Sequence, residues 1–270
     1  MSDDDSIFGP LFSELGRNRT LNEQVEHPGR NTFRPLPKRF YKEAKAAPLD
    51  DGFTVLLDGR GVKTPARRSL KVPTLALAEA MAGEWEGQGE KIDPRTMWLT
   101  KLANTAIDRV EPRRDEVIAD IMAFAGTDLI CYRADNPAEL ARRHIAYWQP
   151  LVDWAAETFG ARLRVTEGLT HIAQDEDALA ALRSVLTGIG SFSLAALHNA
   201  TTLTGSAIIG LALLRGRLDV GQAFDASHVD EAWQAELCGE DEDEALRLAT
   251  RREELADTAR FFELLGQTSV

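Results

Sequence analysis

The stretch Phe53-Thr54-Val55-Leu56-Leu57-Asp58-Gly59-Arg60-Gly61-Val62-Lys63-Thr64 decides the fold class of this chain. It opens with apolar and β-branched residues, passes through Asp58-Gly59-Arg60-Gly61, which tolerate positive φ, and returns in Val62-Lys63-Thr64. That order predicts a β-hairpin. Arg39-Phe40-Tyr41-Lys42-Glu43 reads as a further short strand ahead of it. Downstream the apolar spacing lengthens to three and four residues. Leu75, Leu77, Ala78, Met81, Ala82 and Trp85 follow Pro73-Thr74 and form the stripe of a helix covering the sheet, ended by Gly87 and Gly89. Leu99, Leu102, Ala103, Ala106 and Val110 make a second stripe that stops near Pro112, and a third helix is expected from Arg113 to Ala125.

Thr127 to Tyr132 is compatible with a strand or with more helix. Beyond Asn136-Pro137 the pattern predicts helices over Ala138 to Phe159, Asp175 to Leu186, Ser191 to Leu214, Val220 to Leu237 and Glu240 to Leu265. The expected class is α+β, a small N-terminal α/β domain with an antiparallel sheet followed by an all-α helical domain. Residues 1–32, with several Gly, Pro and acidic residues and no sustained apolar period, read as a flexible arm. The α/β domain is then expected over 33–130 and the helical domain over 131–270, joined near residues 125 to 136.

Forty-three acidic against 31 basic side chains give a formal charge of -12, which repels phosphate backbones and anionic lipid and excludes a nucleic-acid role. The two cysteines, Cys131 and Cys238, form neither a disulfide framework nor a metal-ligand spacing. The start Met1-Ser2-Asp3-Asp4-Asp5 has the character of neither a signal peptide nor a presequence, so a cytoplasmic location is expected. The low-charge run Phe192 to Leu214 is long enough to span a bilayer, but His198, Asn199, Thr201, Thr202, Thr204 and Ser206 make it a buried central helix instead.

Catalytic patterns are wanting. Asp58 to Thr64 imitates a phosphate loop without its spacing, and a hairpin follows it. The five histidines show no zinc spacing, and no Gly-x-Ser-x-Gly elbow accompanies His198 and Ser191. Asp128 is expected to cap or pair, and the acidic run Glu240 to Glu244 to be solvated. No enzymatic activity, cofactor or metal is expected. Two polar lines remain. Thr100, Asn104 and Asp108 recur every four residues, either as an internal hydrogen-bond network bracing the two domains or as a recognition surface. In Asp230-Glu231-Ala232-Trp233-Gln234-Ala235-Glu236, Asp230, Gln234 and Leu237 share a face with Glu231 one step round. That segment is a charged helix surface, or a docking surface anchored by Trp233.

Several motifs occur together in the order of a known family: Arg39-Phe40-Tyr41-Lys42, Val55 to Arg60, Lys63-Thr64-Pro65, Glu84-Trp85, Gln88, Ile92-Asp93-Pro94, Thr96-Met97, Leu99-Thr100, Leu102 to Asp108, Thr127 to Ala134, Trp148-Gln149-Pro150-Leu151, Leu203 to Ser206 and Glu231 to Gln234. Over roughly residues 35 to 260 the chain resembles the alpha-subunit assembly chaperones of the F-type ATP synthase. Trp98, Gly126 and Cys238 depart from the family's pattern, and Cys238 weakens any aromatic anchor there. The resemblance implies two domains, no catalysis, and a protein that binds the free alpha subunit and is absent from the finished synthase; a monomer is expected, with release by competition from beta. The partner-binding residues are then expected at Asp230, Glu231, Gln234 and Glu236, with Asn104 and Asp108 second. The rival expectation is a small-molecule enzyme with an interdomain site.

Overall fold

The computed structural model describes residues 36–168, 170–239 and 241–266, so the expected arm, residues 1–32, lies outside the described residues. The chain divides into two compact units, one ending at Pro112 and the other beginning at Arg113.

In the first unit β1 (Ala44–Leu49), β2 (Gly52–Leu57) and β3 (Arg60–Gly61) form an antiparallel sheet with β2 in the centre. The β2–β3 turn is the expected one: Asp58 at φ 47° and Gly59 at φ 79° give the two positive-φ residues whose twist matches a hairpin. The strand expected at Arg39 to Glu43 is instead an irregular segment, and the strand lies just after it. Side chains have taken the backbone groups a ladder would use. Asp58 accepts from the Lys42 and Glu43 amides at 3.0 Å, and the Arg39 guanidinium donates to the Tyr41, Lys42, Glu86 and Gln88 carbonyls. Pro48 masks the true strand in the sequence; it is tolerated because β1, among the described residues, is an edge that pairs only with β2.

Helix α1 (Leu75–Glu86) lies on β1 and β2, capped by Thr74 Oγ1 accepting from the Leu77 amide. It buries Leu77, Ala78, Met81, Ala82 and Trp85, and each large side chain contributes on the order of 2 kcal/mol. Helix α2 (Trp98–Thr105) continues through a π-helical turn, Ala106–Val110, and a 3-10 turn at Glu111–Arg113.

The second unit is helical. Helix α3 (Arg114–Gly126) packs on later helices and so belongs to this unit, which puts the division ahead of the expected join. The ambiguous Thr127 to Tyr132 resolves into a 3-10 turn, Leu129–Cys131, followed by β4 (Tyr132–Arg133), which pairs in parallel with β5 (Thr166–Glu167). Helix α4 (Ala138–Phe159) and helix α5 (Glu176–Gly188) lie where expected. The expected helix from Ser191 to Leu214 is two, α6 (Ser191–Thr204) and α7 (Ala207–Leu214), broken at Gly205 with φ 68°. The expected Val220 to Leu237 is also two, α8 (Val220–Ser227) and α9 (Val229–Cys238), because His228 leaves helical geometry to hold the Phe224 carbonyl and stack on the Phe224 ring. Helix α10 (Glu242–Leu264) completes the unit. Every residue of α7 is buried, yet no helix among the described residues is long and apolar enough to cross a membrane.

Candidate partner-binding site

The first polar line turns inward. Glu84, from α1, accepts from the Leu99 and Thr100 amides at 2.7 and 2.9 Å and from the Thr100 hydroxyl at 2.7 Å. A carboxylate thus caps α2, whose own N-cap residue Met97 offers no side-chain acceptor. Asp108 accepts from the Thr64 hydroxyl at 2.7 Å and the Ala66 amide at 2.9 Å. Asn104 is buried, and its Oδ1 has no partner among the described residues. Thr100 and Asp108 therefore brace the first unit internally. Gln88 adds to the bracing by donating to the Glu84 carbonyl and Thr96 and accepting from the Asp93 amide. Much of the Glu84 to Asp108 motif set is accounted for by this network.

The second line lies on α9. Of its ten residues only Val229 is buried, so apolar packing alone does not fix it. It is held on α4 by polar groups. The Ala134 amide donates to His144 Nδ1 at 3.0 Å, which leaves Nε2 to carry the proton and donate to Asp230 Oδ1 at 3.2 Å. Burial pushes the His144 pKa down, against the opposing pull of Asp230, and keeps the ring neutral near pH 7. That ring stacks on Trp148, whose Nε1 donates to the Ala226 carbonyl at 2.7 Å. One residue earlier, Arg143 makes a bidentate pair with Glu236, both bonds 2.7 Å, while its guanidinium lies 4.8 Å from the Trp233 ring centre. The hydrogen bonds to Arg143 lower the Glu236 pKa, and Glu236 in turn raises that of Arg143.

Asp230 and Glu236 are thus occupied, whereas half-buried Glu231 and exposed Gln234 make no side-chain hydrogen bond or ion pair among the described residues. Leu237 beside them is 64% exposed. Arg143 and His144 did not emerge from the sequence, because their partners lie 93 and 86 residues away and no local spacing signals the pairing. Charge is divided unevenly: residues 36–112 hold 13 basic and 11 acidic side chains, residues 113–270 hold 14 and 26. The surplus of negative charge therefore lies in the unit that carries α9.

Asp128 is the buried carboxylate with the clearest chemical potential. It accepts from the Ile130 and Ile208 amides at 3.3 and 3.2 Å and is also bonded to the Ala207 amide and the Ser206 hydroxyl. Complete burial outweighs these donors and pushes its pKa up to about 6. Its ligands are the starts of a 3-10 turn and of α7, so it is a cap joining Thr127 to Ala134 with Leu203 to Ser206. Arg133 likewise donates to Gln149 at 2.8 Å, linking two further motifs. No group of three or more His, Cys, Asp or Glu able to hold a metal occurs among the described residues.

These features define an α+β protein whose candidate site is a charged helix face. The chain belongs to the ATP12 chaperone family. Residues 38–156 match the family described as ATP12 chaperone protein. The chain is 25% identical over 225 residues to the mitochondrial protein atp12 of Schizosaccharomyces pombe, covering 77% of each. Atp12 from Paracoccus denitrificans superposes with a TM-score of 0.81 at 42% identity, over 85% of this chain and 98% of that one, and a point mutant of the same protein gives 0.82. The Atu1473 protein of Agrobacterium tumefaciens matches with a TM-score of 0.81 at 40% identity, over 91% and 93% of the two chains.

Proposed function

We propose that this chain is an assembly chaperone of the F-type ATP synthase, which binds the free alpha subunit through α9 and shields its subunit interface until beta displaces it. The observation that carries this reading is on α9, where half-buried Glu231 and exposed Gln234 lack side-chain partners among the described residues, beside exposed Leu237, on the acidic unit of a chain from the ATP12 family. An unassembled ring subunit exposes apolar surface and self-associates, and an acidic cover with a few apolar contacts suits a basic-rimmed patch of that kind. Release follows by competition, since the larger interface between ring subunits outweighs a small chaperone contact. The task needs no bond making or breaking. It is performed by one copy of the chain in the compartment where alpha is made, the cytoplasm of a bacterium.

Co-expression with the alpha subunit of the same organism, without beta, tests this. Soluble alpha in a one-to-one complex that beta dissociates is expected. Alpha that stays insoluble and never co-purifies overturns the proposal.

A further inference from the structure

We infer that Arg143 and His144, together with Asp230 and Glu236, are positioning residues that set the attitude of α9, and that the alpha subunit is touched by the residues that make no side-chain bond there, half-buried Glu231 and exposed Gln234 and Leu237. The inference rests on the reading of α9 as the recognition helix and divides its charges into two jobs.

Three observations carry it. First, α9 cannot hold itself in place. Ten residues are marginal for a free helix, its N-cap His228 supplies no side-chain cap bond, and it ends at Gly239, whose φ of 86° and ψ of 164° suit glycine alone. Only Val229 anchors it by burial. Second, the contacts that remain form a ladder on neighbouring residues of α4: His144 to Asp230, Arg143 to Trp233, and Arg143 to Glu236. His144 is itself locked between the Ala134 amide and the Trp148 ring, so the ladder stands on a rigid base. Third, a partner cation approaching Glu236 would have to displace a guanidinium already bonded to both carboxylate oxygens at 2.7 Å. Glu231 asks for no such exchange. Removing Arg143 would leave Glu231 chemically intact but free to swing, and that separates positioning from contact.

The test measures the Kd of the full chain for purified alpha subunit, with amide hydrogen exchange of residues 229–238 followed in parallel. Arg143→Glu and Glu236→Arg each reverse one charge, and the two together restore a pair of inverted polarity. Each single reversal is expected to weaken binding about tenfold and to speed exchange in α9, with the double variant returning to within about twofold of the parent. Glu231→Lys is expected to weaken binding with exchange unchanged, and no substitution at Arg143 rescues it. If the double variant recovers slow exchange but not binding, Glu236 touches the partner and the inference is overturned. If Glu231→Lys leaves the Kd unchanged while the single reversals weaken it, the assignment of contact residues is wrong. A parent chain that fails to bind alpha at all removes the functional reading beneath the inference, and is told apart from these outcomes by that alone.

Discussion

Helices α2 and α9 are of similar length, and both carry polar residues three and four positions apart, yet α2 buries five of its eight residues and α9 one of its ten. The difference lies in what faces them. Helix α2 meets Glu84 at its first turn, and the Asp108 that follows it meets Thr64 and Ala66, so its polar line is satisfied inside the first unit. Helix α9 meets Arg143 and His144 along one side and nothing among the described residues at Glu231 and Gln234. A polar stripe is a brace where a neighbouring element supplies complementary groups and a surface where it does not, and its own spacing is the same in both cases.

The comparison breaks first at Glu84. Glu84→Ala strips three hydrogen bonds from the start of α2, and about 3 kcal/mol of stability should be lost by urea unfolding while the native fraction still binds alpha. A loss below about 1 kcal/mol would mean that water replaces the carboxylate and that α2 is not braced as described. Thr64→Val removes the donor to Asp108 and should cost about 1.5 kcal/mol by the same measurement.

Asp128 sharpens the comparison through pH. Folding raises its pKa from the model-peptide range to about 6, so the folded chain holds that proton more tightly than the unfolded one. Its contribution to stability is full below about pH 4 and is lost as pH rises through 6. Asp128→Asn lacks this dependence and should gain on the parent by up to about 1.4 kcal/mol per pH unit between about pH 4 and 6, with no further gain above 6. His144 and His198, whose pKa values burial lowers, work in the opposite sense, but they are common to both chains and cancel in the difference. Equal pH profiles for the two chains would rule out a cost of ionising Asp128. The smallest stability effect belongs to Glu231→Lys, within about 0.5 kcal/mol of the parent, even though it is expected to weaken alpha binding most selectively.

Much of the fold was legible because it was written locally. Asp58-Gly59 specifies its turn, Thr74 its cap, and the four-residue stripe of Leu77, Ala78, Met81 and Trp85 its buried face. What escaped was written across the chain. The strand Ala44–Leu49 is hidden by Pro48, which is harmless because, among the described residues, no strand lies outside β1. The breaks at Gly205 and His228 interrupt apolar runs without any proline to announce them. On the candidate site, the spacing of Asp230 to Glu236 identified the helix. It could not say which of its acids already had a cation, since Arg143 and His144 sit in another element.

The two cysteines make α9 accessible to experiment without altering it. Cys131 is buried, and burial pushes its thiol up to about 12, so it is both unreachable and unreactive at neutral pH. Cys238 is exposed and is the last residue of α9. A maleimide dye added to the folded chain should attach at that one position. The probe would then sit at the edge of the proposed contact face, and a change in its emission would report the arrival of alpha and its release by beta in real time.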